Sequence, residues 1–90
     1  MTDIQDALHR AGIALFQDGD VTGALEKLAA ALALAETRAD IAADLGVVQH
    51  AAGNLNEAEA YLTQACASDP GNVDYVFNLA RVLSAQGRAA

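Results

Sequence analysis

Residues 40–70 read DIAADLGVVQHAAGNLNEAEAYLTQACASDP, and residues 6–36 read DALHRAGIALFQDGDVTGALEKLAAALALAE. Laid over one another at an offset of 34, they share Asp6 with Asp40, Gly12 with Gly46, Gly19 with Gly53, Ala24 with Ala58, Leu28 with Leu62 and Ala31 with Ala65. A third copy starts at Asp74, passes through Ala80 and reaches Gly87. One insertion anywhere would break this register, so a single structural unit is being copied. A period of 34 residues suits a helix–turn–helix unit. Such units stack into solenoids, which present surfaces more often than catalytic centres.

Working outward from that stretch, the apolar spacing is helical throughout and no strand pattern occurs. Ile4, Ala7, Leu8, Ala11, Gly12 and Leu15 form one helical stripe; Ala24, Leu25, Leu28, Ala31 and Leu32 form the next. The pattern predicts helices over about 3–18, 21–35, 38–52, 55–67 and 73–86. Thr2 with Gln5, and Thr37 with Asp40, have the spacing of capping boxes. Asp20, Asn54 and Asn72 are predicted N-caps. Gly19, Gly53 and Gly87 are predicted to end helices in the left-handed conformation that glycine adopts at little cost. Asp69-Pro70-Gly71-Asn72 is the strongest turn signal. The connections are short, which forces antiparallel hairpins.

Ninety residues make one small domain. Hydrophobic residues make up 53%, yet aromatics only 4%, because 22 positions are alanine. Alanine favours helix and lets axes approach, but each buried side chain removes little apolar area from water. Tightly stacked helices around a thin core follow. The formal net charge is -7 with only five lysines and arginines. That argues against nucleic acid and against an anionic membrane surface, both of which need clustered cations. A basic partner is the better electrostatic match. The single cysteine, Cys66, excludes an internal disulfide framework and is expected as a small buried residue. There is no basic-then-apolar leader and no apolar run near 18 residues, so a cytoplasmic protein is expected. His9 and His50 lie on different helices without companions at metal-ligand spacing. No phosphate loop or nucleophile elbow occurs. Neither catalysis, nor a metal, nor a cofactor is implied.

Together these residues resemble the tetratricopeptide repeat family over nearly the whole chain. The second unit carries the pattern in Leu45, Gly46, Gly53, Ala58, Leu62, Ala65 and Pro70. The first carries it in Ala11, Gly12, Gly19, Ala24, Leu28 and Ala31, with Glu36 where proline is usual. The third supplies Leu79, Ala80 and Gly87. The large aromatic usual early in each first helix is replaced by Leu8, Ala42 and Val76, and the usual tyrosine by Leu15, Gln49 and Leu83. The resemblance implies an all-α, right-handed superhelix of antiparallel helical hairpins, five helices in one domain. Repeat one would span about 5–38, repeat two about 39–72, and a half repeat or capping helix about 73–90. The small residues have packing reasons. Gly12, Gly46 and Ala80 let a partner helix come near, while Ala24 and Ala58 fit where hairpins cross.

In this family the first helix of each unit lines a concave groove. Carried over by position, the groove here takes His9, Ile13, Phe16 and Gln17 from the first helix, together with Asp6 and Arg10. The third helix gives Asp40, Asp44, Val47 and His50, with Ala43 and Ala51. The fifth gives Asp74, Phe77, Asn78 and Arg81, with Ser84. Ile13, Phe16, Val47 and Phe77 either form an apolar patch for a partner or pack on one another between helices. Some family members hold a peptide's terminal carboxylate with cationic and amide side chains. Those positions here are His9, Ile13, Asp44, Asp74 and Asn78, so that mode is not expected. Asp40 and Asp44 lie four apart on one face. They either await a basic partner or pair with Arg10 and Arg81.

The fifth helix has two sides. Tyr75, Leu79 and Val82 can cover the preceding pair; Val76, Ala80 and Leu83 would meet a second helix that is not in the sequence. Arg88 is a poor N-cap for one. Either the chain is a fragment of a longer protein, or this helix is the cap, or two chains pair through the strip. The leading expectation is a non-catalytic module that binds a peptide or helix with apolar and basic residues. The alternatives are self-association as a homodimer, or docking at the front of a larger enzyme such as a bacterial glycosyltransferase.

Overall fold

A computed structural model describes residues 3–87. It is all-α, with helices α1 (Ile4–Gln17), α2 (Val21–Leu34), α3 (Ala39–Ala51), α4 (Leu55–Ser68) and α5 (Val73–Ala85). No strand occurs among the described residues. The chain is 42 × 28 × 17 Å in extent. Its thinnest dimension leaves room for two layers of helices and no third.

Helix α1 packs chiefly on α2, and α3 on α4; α2 against α3 and α4 against α5 join the hairpins. Along one layer α3 touches α1 and α5 only lightly, with α2 and α4 behind them. The hairpins close tightly because of two glycines. A Cβ at Gly12 would come within 2.7 Å of the Leu28 Cγ, and one at Gly46 within 2.7 Å of the Leu62 Cγ. The leucines of the second helices thus sit in the gaps that the glycines of the first helices leave. The core is otherwise built from Ala24, Ala31, Leu32, Ile41, Ala42, Ala43, Leu45, Val48, Ala58, Ala65 and Val82. It contains no polar or charged residue.

Helix ends follow the punctuation closely. Gly19 and Gly53 have φ of 90° and 85°. At the end of α1, the Gly19 amide donates to Phe16 and the Asp20 amide to Leu15. At the end of α3, Gly53 donates to His50 and Asn54 to Gln49 in the same way. This six-to-one closure satisfies carbonyls that the helix leaves open. Asp20 then accepts from the Gly23 amide as the N-cap of α2, so one residue both closes a helix and opens the next. Asn72 likewise caps α5, accepting from the Asp74 and Tyr75 amides.

Three expected caps differ. The N-cap of α1 is Asp3, which accepts from the Asp6 amide; Thr2 lies outside the described residues. Gln5 closes no capping box, because its amide donates to the Ala31 and Ala35 carbonyls at the end of α2. The Thr37–Asp40 box does not form either. Arg38 is the N-cap of α3 without a side-chain bond, and Asp40 is taken by the Arg38 guanidinium. Asn54 holds the N-cap position of α4, but its amide donates to Gln49. Burial differs from the stripes as well. Ile4 is 72% exposed, since α1 has α2 as its one extensive neighbour, and Cys66 is half-buried.

Candidate binding groove

The layer of α1, α3 and α5 carries the residues that the sequence placed on a concave face. They divide into a polar seam, a central cavity and two flanks.

The seam joins the start of α1 to the start of α3. The Arg38 guanidinium donates to both oxygens of Asp40 at 2.9 Å and to Asp6 at 3.0 Å, with a longer bond to Gln5 at 3.3 Å. One helical turn on, the His9 ring meets Asp44 at 2.6 Å through Nε2. A carboxylate only accepts, so Nε2 carries the proton in that bond. His9 Nδ1 lies 4.0 Å from Asp40. The hydrogen bonds from Arg38 hold the Asp40 carboxyl below its ordinary range, against a smaller opposing effect of burial, and keep Arg38 protonated. Burial, then the charges of Asp40, Asp69, Asp44 and Asp74, raise the Tyr75 phenol above its ordinary value. Asp40 and Asp44 therefore do not pair with Arg10 and Arg81. Arg38, entering from the loop before α3, takes Asp40, and His9 of α1 takes Asp44. Arg38 was not among the expected site residues. The signal was an arginine at a cap position, two residues before an aspartate that a guanidinium can fork.

The central cavity, about 290 Å³, lies one to two turns further along the three helices. Phe16 of α1, Val47, His50 and Ala51 of α3, and Asn78 and Arg81 of α5 line it, with Leu62 of α4 beneath. Ile13 and Phe16 are half-buried against the core, so part of their area is structural. Phe77 is 63% exposed, with the Arg81 guanidinium 5.9 Å from its ring centre. Arg81 has no ion-pair partner among the described residues, and neither has the exposed Asp74. Ala43 is buried and not on the groove surface.

The flanks take the remainder. On α1, His9, Arg10, Ile13, Ala14 and Gln17 line a shallow hollow of about 300 Å³. On α5, Val73, Asp74, Val76, Phe77 and Ala80 line an apolar one of about 600 Å³. The structure thus groups Phe16, Val47, His50, Asn78 and Arg81, and separately His9, Asp40 and Asp44. Ile13 and Gln17 stand to one side, and Asp74 and Phe77 to the other.

A family model described as tetratricopeptide repeat matches residues 15–65 and again 49–90. The chain belongs to the tetratricopeptide repeat family. Its fold agrees with a solved structure of a point mutant of the O-GlcNAc transferase of Thermobaculum terrenum, at a TM-score of 0.87 and 29% identity. The match covers 98% of this chain and 18% of that one, so the chain spans a minor part of the transferase's length. No curated protein matches the sequence. Tetratricopeptide repeats are typically non-catalytic interaction modules. Among the described residues no group of three or more His, Cys, Asp or Glu side chains is placed to hold a metal. No helix there is long and apolar enough to cross a membrane.

Proposed function

We propose that this tetratricopeptide repeat chain is a cytoplasmic interaction module. Its concave face would take an extended or helical segment of another polypeptide, one with apolar side chains plus lysine or arginine. The observation that carries this reading is the cavity bounded by all three first helices, with the largely exposed Phe77 ring against Arg81 of its lining. Exposed apolar surface rimmed by polar groups commonly marks a binding site. The net charge of -7 favours a cationic partner at long range. Pairing within the seam shifts the short-range task to Asp74, whose carboxylate has no ion-pair partner among the described residues and which lines the α5 hollow with Phe77.

Selection of a random 12-residue peptide library on the immobilised chain tests this. Enriched peptides are expected to combine large apolar residues with Lys or Arg. Phe77→Ala is expected to weaken them about 10-fold, as for a residue contributing about 1.4 kcal/mol at an interface, and Asp74→Lys comparably. Unchanged affinity in both variants would discard the reading.

A second reading, self-association through the outer side of α5, has its own observation. Val73 is 76% and Val76 50% exposed there, beside Ala80. Sedimentation at several concentrations decides it: a single monomeric species up to tens of micromolar removes it. A third, docking at the front of a larger enzyme such as a glycosyltransferase, is favoured by the likeness to the O-GlcNAc transferase. A longer reading frame past Ala90 that encodes such an enzyme would support it.

A further inference from the structure

We infer that the central cavity anchors one apolar side chain of the bound segment, and that an Asp or Glu side chain next to that anchor rests on Arg81. The inference deepens the groove reading and rests on it. It adds an acidic group at one defined place to a partner otherwise apolar and basic.

Size comes first. The cavity holds about 290 Å³, and a hollow of about 150 Å³ already admits a benzene ring. It has room for one large side chain. The floor is the fully buried Leu62 and the walls include Phe16 and Val47, so an apolar group is the matching occupant.

Charge comes second. Cations are scarce in this chain, and the seam consumes Arg38. Arg81 is not consumed. It sits over the Phe77 ring, an attraction that leaves its N–H donors free. The groove carboxylates crowd toward the starts of the helices. Asp74 precedes Arg81 by seven residues, about 10 Å along an α-helix. That is beyond ion-pair reach and about one screening length at physiological salt. Among the described residues the positive edge of the cavity is therefore not neutralised, and an anion placed there meets a guanidinium that none of them pairs. His50, which lines the same cavity from α3, can add a ring N–H.

Position comes third. The cavity lies mid-groove, with the α1 hollow on one side and the α5 hollow on the other. A segment following the groove continues past the cavity in both directions. The carboxylate is accordingly that of an internal Asp or Glu and not of a chain end.

The test repeats the random 12-residue library on the wild type, on Arg81→Glu and on Ala51→Trp. Ala51 is exposed and lines the cavity, so tryptophan there plugs it without entering the core. Circular dichroism melts confirm that each variant folds. Wild-type selections are expected to share a large apolar residue with Asp or Glu within about one helical turn of it. With Arg81→Glu that position is expected to turn to Lys or Arg, and each peptide set to lose about 10-fold affinity on the other protein. Ala51→Trp is expected to lose both sets. Peptides that depend on Ala51 but show no acidic preference, or the same one with Arg81→Glu, overturn the inference and leave the groove reading standing. So does a dependence on the free terminal carboxylate, lost on amidation. No enrichment at all, or enrichment indifferent to Ala51→Trp and Phe77→Ala alike, sinks both.

Discussion

At Gly12 and Gly46 a single methyl group would collide with the branch carbon of a buried leucine. At Ala80, the same place in the third copy, the side chain is exposed and no second helix faces it among the described residues. The register is shared, yet the residue preference reverses. Gly12→Ala and Gly46→Ala are expected to cost about 0–2 kcal/mol, overpacking at about 1–3 less the helix-propensity gain of about 1. Ala80→Gly is expected to cost up to about 1 kcal/mol through lost propensity alone. Urea melts check all three, and a stabilised Gly12→Ala would contradict the packing. The glycine spacing was legible because a close approach between helices leaves a mark on each copy. The unmet side of Ala80 was legible as well, since the reading offered no second helix to face it. The two capping boxes misled. Gln5 and Asp40 have the right spacing, but Gln5 has a better partner distant in sequence and Asp40 a better one in the Arg38 guanidinium two residues before it, and spacing alone does not rank such competitors.

Helices differ in how far they depend on their neighbours. α3 buries Ile41, Ala42, Ala43, Leu45, Gly46 and Val48, whereas α5 buries Val82 alone. α5 rests mainly on α4 and on its Asn72 cap. Stability in repeat arrays is a sum of units and of contacts between neighbours, so α5 is expected to open first. Its amides should exchange with solvent faster than those of α3. Asn72→Ala should cost about 1 kcal/mol and lower protection in α5 while α3 stays unchanged. Uniform loss across both helices would mean the chain opens as one body. The turn at Asp69-Pro70 made the start of α5 plain in the sequence. The half-exposed face of α1 was hidden, since an apolar stripe marks the side able to pack and not the amount of structure available to cover it.

At the scale of the molecule, titration acts through the seam and through Tyr75. The Asp40 carboxyl is held low in the folded chain. Its contribution is fully present above the unfolded value of about 3.9 and is lost as pH falls through the folded value. Tyr75 is shifted the other way, so it lowers stability as pH rises past the unfolded value of about 10. The melting temperature is expected to decline below about pH 4, and Asp40→Asn to have a shallower acid limb and a lower melting temperature at neutral pH. A variant with the wild-type profile would show the seam to be energetically idle. The charge excess and the missing aromatics were legible, and so was the thin core they imply. The pairing that spends part of that charge was not. It joins Asp6 with Arg38 and His9 with Asp44, 32 and 35 residues apart, as well as the near neighbours Arg38 and Asp40, and a single sequence lists its charges without saying which ones meet.

Asp20 and Asn54 each finish one helix and begin another, and each follows a glycine in the left-handed conformation. The chain therefore behaves like a cassette with matched ends. A second copy of residues 20–53, spliced in directly after Gly53, would set Gly53 beside Asp20 and so recreate the Gly19–Asp20 junction with no new linker. A piece one residue shorter or longer within a helix would rotate the rest of that helix by about 100° and turn its buried face to water. Growth of this molecule is thus confined to whole multiples of 34, and the trough lengthens by one helix at each step.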